Sequence, residues 1–206
     1  PLRVHQIEAE IERLYHGHFG VQRRDQKLAL QKKIETLREE LGRELAQSLG
    51  SSKKAKHIAE WNPFDPQATA DFFDPHWMFG RSLAAGCDIV IGNPPYLKER
   101  DSKHIFDVVT DTPWGRKYHQ GKMDYWYFFL HRSFEITKPK GIISFITSRY
   151  WINSAGSKKL VKHIRDAASL FHVVDIGALP VFELVAGHHM LHFYRVGQQQ
   201  TTCQVK

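Results

Sequence analysis

The chain has 206 residues, 42% of them hydrophobic and 12% aromatic, enough for one domain with a buried core and a helical appendage. A formal net charge of +7 favours an anionic partner but does not separate nucleic acid from other polyanions. Two cysteines, one in an expected buried strand, exclude a disulfide framework and point to a reducing, cytoplasmic compartment; no apolar run is long enough for a membrane-spanning helix or a signal peptide.

Residues 1 to 49 read as helical. Ile7, Ile11 and Leu14 recur at helical spacing, as do Leu30, Ile34, Leu37, Leu41 and Leu45. His16 to Gly20 interrupts this pattern and is the expected turn of a helical hairpin. The polar faces mix Lys, Arg and Glu, with Glu39 four residues ahead of Arg43. Packing against a neighbouring domain is the expected role. Gly50 to Lys54 reads as a linker. The chain therefore divides into a helical segment, 1–52, and a main domain, 53–206. Residues 61–80 are dense in aromatic rings and broken by prolines, the pattern of a packed loop region lying against a sheet. Asp74 is expected to cap a helix or turn rather than bind a ligand.

Cys87 to Tyr96 is the centre of the chain. Ile89, Val90 and Ile91 form an unbroken β-branched run, as in a parallel strand covered on both faces. Gly92 then loosens the backbone, and Pro94 and Pro95 cannot donate ladder hydrogen bonds. The strand stops and presents an amide, Asn93, and a ring, Tyr96. Ligands of open α/β sheets bind at the carboxyl ends of strands. An amide that accepts from an amino group, beside a ring that stacks, suits a planar nitrogenous base.

Residues 97–122 are polar, long for a connection, and placed to fold over that strand end. Thr112-Pro113-Trp114-Gly115 suggests a turn within it. Asp124 to Thr137 reads as a helix, ended by Lys138-Pro139-Lys140-Gly141. Gly141 to Ser148 reads as a second buried strand, Ser157 to Ala167 as an amphipathic helix, Phe171 to Ile176 as a third strand and Met190 to Val196 as a fourth. Alternating strands and helices indicate an α/β sheet with crossovers, and the short last connection suggests an antiparallel edge strand.

Between Lys138 and Arg165 there are seven Lys or Arg residues and no Asp or Glu. Within this run Arg149, Lys158, Lys159 and Lys162 are candidate phosphate contacts. The thirteen histidines show no zinc-ligand spacing, and the pair His188-His189 suits a loop or strand better than a metal site, so no metal is expected. The chain has no Gly-x-Ser-x-Gly, no P-loop and no Gly-x-Gly fingerprint after a strand.

Asp88-Ile89-Val90-Ile91-Gly92-Asn93-Pro94-Pro95-Tyr96 resembles the catalytic motif of DNA N6-adenine methyltransferases, most closely the type II restriction–modification branch with its single-chain restriction–methylation enzymes. Asn62-Pro63-Phe64, Phe73 to Phe79, Asp124 to Gly141, Ile146 to Trp151 and Val181-Phe182 are similar to segments of the same branch, although Lys140 stands where that branch has a glycine. The resemblance implies the later strands, fourth to seventh, of a doubly wound S-adenosylmethionine-dependent methyltransferase sheet, with an N-terminal helical segment. It implies double-stranded DNA as partner, no membrane, and direct methyl transfer from S-adenosylmethionine to a flipped adenine. By position, the Asn93 side chain and the Pro94 carbonyl accept from the target amino group, Pro95 completes the motif, and Tyr96 and Phe182 contact the base. Phe129 aligns with a residue lining the cofactor pocket.

The family's Gly-rich cofactor loop and its ribose-binding acid are missing, and the chain opens on Pro1. It reads as a fragment that is inactive alone. Its parent carries the donor site and, in this branch, can carry a fused endonuclease. The bare edge of the Ile89 strand invites self-association. Two alternatives stand beside this reading: a protein glutamine N-methyltransferase, whose family shares Asn-Pro-Pro-Tyr, and a non-catalytic DNA-binding or assembly module.

Overall fold

A computed structural model of the chain describes residues 2–49, 53–65, 67, 74–177, 179, 187–197 and 202–206. It divides into two units, Pro1–Ala85 and Gly86–Lys206. Among the described residues no helix is long and apolar enough to cross a membrane.

The first unit holds α1 (Leu2–Gly20), α2 (Arg24–Leu49), α3 (Lys53–Glu60) and a short α4 (Pro75–Phe79). The periodic residues do what their spacing requires: Ile7, Ile11, Leu14, Ile34, Leu41 and Leu45 are buried in one cluster. The hairpin turn is not where the pattern breaks. Helix α1 runs through Gly20, and the turn falls at residues 21–23. The interruption is a polar stretch of the same helix, held because His18 lies 4.9 Å from the Phe64 ring and 3.1 Å from Gln31 Nε2. Phe64 also meets Tyr15, at 5.8 Å, so this ring of the aromatic-rich stretch packs on the helical hairpin. Asp74 stands directly ahead of α4 and its carbonyl accepts from Met78 N–H, the start of a helix as expected. Of the expected linker, Gly50 to Ser52 lie outside the described residues, and Lys53 already begins α3.

The second unit is a five-stranded mixed sheet. Its strands are β1 (Cys87–Gly92), β2 (Thr137–Ser148), β3 (Ala168–Gly177), β4 (His189–Val196) and β5 (Gln204–Val205), in spatial order β1-β2-β4-β3-β5. β1 and β2 are parallel, with helices α5 (Lys103–Thr110), α6 (Pro113–Tyr118) and α7 (Trp126–Ile136) between them in sequence. Helix α8 (Lys158–Ala167) connects β2 to β3. The fold is thus α/β, as the alternation predicts. The antiparallel strand, however, is not at an edge: β4 inserts between β2 and β3 and is antiparallel to both, which leaves β3 free to take β5 as its other neighbour.

One face of the sheet supplies the core. Ile143, Phe145, Val173, Met190 and Tyr194 pack with Trp126, Tyr127, Leu130 and Phe134 of α7 and with Leu160 and Ile164 of α8. The other face of β1 is open. Ile89 is 60% and Ile91 80% exposed, while Val90 packs on the core. The continuous apolar run predicted cover on both faces. The strand has it on Val90's face alone, because side chains alternate along a strand and only one face meets the helices.

Two local details correct the expectations. Thr112-Pro113-Trp114-Gly115 opens α6 rather than forming an isolated turn: the Thr112 hydroxyl caps by accepting from Gly115 N–H at 3.0 Å, and Pro113 takes the first-turn position where its missing N–H costs nothing. Lys138 to Gly141 does not separate helix from strand but belongs to β2. Lys140 has φ +70°, a left-handed conformation that glycine adopts without strain. The lysine thus occupies a backbone position shaped for glycine.

Candidate active site

The site forms where β1 stops. Gly92 pairs with Phe145, so β2 runs three residues further, to Ser148, and its end stands beside the segment after β1. The reason for glycine at 92 is proximity rather than loose backbone. A Cβ there would lie 2.7 Å from Phe145 Cε1, so a side chain would push the strand end off its neighbour. After Gly92 the chain leaves the sheet: Asn93 is exposed, Pro94 buried, Pro95 exposed and Tyr96 half-buried.

Asn93 and Tyr96 are joined. The Tyr96 hydroxyl lies 2.9 Å from Asn93 Oδ1 and 3.1 Å from the Ile146 carbonyl oxygen, and both are acceptors for its single proton. Burial raises the Tyr96 phenol above its ordinary pKa, so it remains a donor. The Asn93 oxygen therefore has one lone pair facing Tyr96 and a second to offer.

Tyr96 lines a cavity of about 670 Å³ together with Lys98, Glu99, Arg100, Lys122, Met123, Asp124, Ser148, Tyr150, Ser154, Gly187, His188 and His189. Four of these residues carry rings. Tyr96 and His189 ring centres are 5.6 Å apart, and those of Tyr150 and His188 6.0 Å. The antiparallel β4 explains the histidines. It begins at this end of the sheet, with His189 opposite Ser148, and the His188 carbonyl accepts from Arg149 N–H at 3.1 Å. His188 and His189 read in sequence as loop or strand residues, and so they are, yet they also line the cavity. Spacing gave no signal for them: they reach the cavity because β4 pairs antiparallel with β2 and β3, so that its start stands beside the ends of those strands. No cluster of metal-ligating groups occurs among the described residues.

Asp124 is the half-buried carboxylate of the cavity. Burial raises its pKa, against the opposing pull of Lys98. Glu99 goes the other way. Burial pushes it up, but hydrogen bonds from His119 and from the backbone N–H groups of Lys122 and Met123 outweigh that and lower it.

The remaining candidates are more dispersed. Phe129 is 42% exposed on α7, meets Tyr125 edge-on at 5.8 Å, and does not line the Tyr96 cavity. Phe182 lies outside the described residues. Arg149 pairs with Asp175 at 2.9 Å, Lys162 pairs with Asp166, and Lys159 Nζ donates to the Lys117 carbonyl at 3.0 Å. Lys158 is exposed at the start of α8.

Comparison with known proteins adds the following. The family model described as Eco57I restriction-modification methylase matches residues 13–182. The type II restriction enzyme and methyltransferase RM.Eco57I of Escherichia coli is 28% identical over 98 residues, 47% of this chain and 10% of that protein. The chain thus spans about a tenth of that relative's length. Among solved structures, a Listeria monocytogenes protein described as a class I S-adenosylmethionine-dependent methyltransferase superposes with a TM-score of 0.46 at 13% identity, over 60% of this chain and 37% of that one. The type IIG restriction endonuclease BpuSI superposes with a TM-score of 0.42 at 21% identity, over 57% and 14%.

Proposed function

We propose a function from one premise: the chain belongs to the Eco57I restriction-modification methylase family. It is the part of a methyltransferase that binds and orients the target, and the finer reading is that the target is the N6 amino group of an adenine flipped out of duplex DNA. The parent protein takes its methyl group from S-adenosylmethionine and joins methylation to restriction, as the name of the E. coli relative says of that protein.

The observation that carries the finer reading is the pairing of Asn93 with Tyr96, whose ring lines the cavity although Asn93, Pro94 and Pro95 do not. A flat base fits between rings, and stacking of a base on an aromatic side chain is worth about 1–3 kcal/mol. The second lone pair of Asn93 Oδ1 and the Pro94 carbonyl then accept the two N–H bonds of an exocyclic amino group. An amino nitrogen held so has its lone pair withdrawn from the ring and directed outward, the state in which it is nucleophilic. Pro95 stiffens the segment that holds this geometry.

The rim of the Tyr96 cavity does not favour the sulfonium of the donor. A sulfonium cation in the Tyr96 cavity would meet the like charges of Lys98, Arg100 and Lys122. The chemistry assigned to this chain therefore ends at holding and orienting the amino group.

The test is labelled methyl transfer by the full-length protein. Label is expected at adenine N6 of duplex DNA, and Asn93→Ala is expected to lower it about 100- to 1,000-fold. Near-normal transfer by that variant overturns the assignment. A release factor offered in place of DNA is expected to stay unlabelled; labelling there would move the reading to glutamine. The chain alone is expected to show no turnover and, by calorimetry, no tight binding of S-adenosylmethionine.

A further inference from the structure

The rim of the Tyr96 cavity is basic and unusually well fixed. Lys98, Arg100 and Lys122 all line the cavity and all are exposed. Residues 97–99 and 123–125 hold each other through Tyr125 N–H to the Leu97 carbonyl at 2.8 Å and Glu99 N–H to the Met123 carbonyl at 3.1 Å. Lys122 N–H donates to Glu99 Oε2 at 2.6 Å, while the other Glu99 oxygen meets His119 Nε2 at 2.6 Å. From the opposite side Gly156 comes so close that a Cβ there would sit 2.1 Å from the Lys122 carbonyl oxygen. Gln120 ties the same loop to α8, donating to the Ala155 carbonyl and accepting from Lys159 N–H, each at 2.8 Å.

Lys122 itself has φ +67°, which strains any residue with a Cβ. Strain of this kind persists where surrounding contacts over-determine it and collects at binding sites. Solvated surface lysines need no such support. The carboxylates nearby do not cancel the three cations. Glu99 is taken up by His119 and by two backbone N–H groups, Asp124 acts on Lys98 alone of the three, and the Arg100–Asp101 pair is exposed and weak.

We propose that Lys98, Arg100 and Lys122 bind the backbone phosphates on either side of the nucleotide whose base enters the Tyr96 cavity. This rests on the target-base reading above and adds to it the groups that hold the strand. A base inserted against Tyr96 leaves its own sugar and flanking phosphates at the cavity mouth, where these side chains stand. Arg149 and Lys159 are engaged within the fold, with Asp175 and the Lys117 carbonyl, while Lys162 forms an exposed pair with Asp166 much as Arg100 does with Asp101.

The experiment measures binding of this chain to a labelled duplex carrying one mismatched adenine, by fluorescence anisotropy over a range of salt. Each phosphate contact contributes about 0.9 to the slope of log affinity against log salt. Lys98→Gln, Arg100→Gln and Lys122→Asn are each expected to lower that slope by about 0.9, and Lys162→Gln to leave it unchanged. Asparagine tolerates positive φ, so the Lys122 variant keeps the loop, and unchanged thermal melts confirm that each variant folds. Unchanged slopes in the three rim variants overturn the proposal, as does an absence of binding by the unaltered chain at low salt. Replacing the mismatched adenine with another base tests the target-base reading separately: equal affinity for both duplexes sinks that reading, while the slopes still decide the rim.

Discussion

Tyr96→Phe separates the two duties that the site gives to one residue. The phenylalanine keeps the ring and loses the hydroxyl that holds Asn93 Oδ1 at 2.9 Å. The amide torsion of asparagine is broad and roughly two-fold, so without that donor the Asn93 amide is free to turn its NH2 toward the target. A donor then stands where an acceptor is required. The loss of one neutral hydrogen bond is worth about 0.5–1.5 kcal/mol, which is about 2- to 12-fold in rate. Asn93→Ala removes the acceptor itself, a change of about 100- to 1,000-fold for a preorganised polar group at a reacting centre. Single-turnover methyl transfer by the full-length protein, with enzyme in excess over duplex, reads the first step directly. Tyr96→Phe is expected to lower kcat within the smaller range and leave KM nearly unchanged, because stacking survives. An unchanged kcat would refute the idea that the hydroxyl positions Asn93. A raised KM with normal kcat would assign Tyr96 to uniform substrate binding instead.

Acid is expected to weaken the second unit. Burial drives the pKa of His192 down to about 3, and burial together with His163, Lys159 and Lys117 does the same for His131. An unfolded imidazole titrates near 6.5, so both groups contribute stability above that pH and lose it as pH falls toward 3. Each is expected to cost about 2 kcal/mol between pH 7 and pH 5, and a urea midpoint that does not move over that range would contradict it. Lys140→Gly relieves a left-handed lysine, about 1–2 kcal/mol, against about 0.4–1 kcal/mol for the looser unfolded chain, so a melting temperature higher by about 2–4 °C is expected and a lower one refutes the strain. We further propose that β1 mediates self-association, since Ile89 and Ile91 lie exposed on an edge strand. Ile91→Lys is expected to shift concentration-dependent sedimentation toward monomer, and unchanged sedimentation of an associating chain would place the contact elsewhere.

The α/β alternation was legible because each element buries a periodic face: Leu160 and Ile164 on α8, Ile143 and Phe145 on β2. Strand order was not. Nothing in Met190 to Val196 says that this strand pairs with β2 as well as with β3, because pairing partners follow from the closure of the whole sheet. The hairpin turn was misplaced for a related reason. Two glycines and two histidines read as a break, yet His18 has a ring and an amide to hold it in the helix. β1 was read as doubly covered because a β-branched run looks the same whether one face or both are packed.

The site was legible to the extent that its geometry is local. Asn93 to Tyr96 is a four-residue motif whose bond between its ends can be formed by the segment itself, and the sequence announces it through two prolines. Beyond Lys98 to Arg100, the rest of the cavity comes from three distant places: Ser148 at the end of β2 with Tyr150 and Ser154 after it, Lys122 to Asp124 before α7, and Gly187 to His189 at the start of β4. Single residues from separate elements leave no spacing to read, whereas the Lys and Arg residues between Lys138 and Arg165 stand out by density alone. Density in sequence and convergence in space are different properties. α8 carries its lysines close together in sequence and ties Lys162 to Asp166, whereas Lys98, Arg100 and Lys122 come from two segments that a short antiparallel contact holds together. Two cations 24 residues apart therefore line one cavity. The role proposed for Asn93 follows the same logic. The motif supplies its amide, but the β2 carbonyl of Ile146, which shares the Tyr96 proton, sets how firmly that amide is aimed.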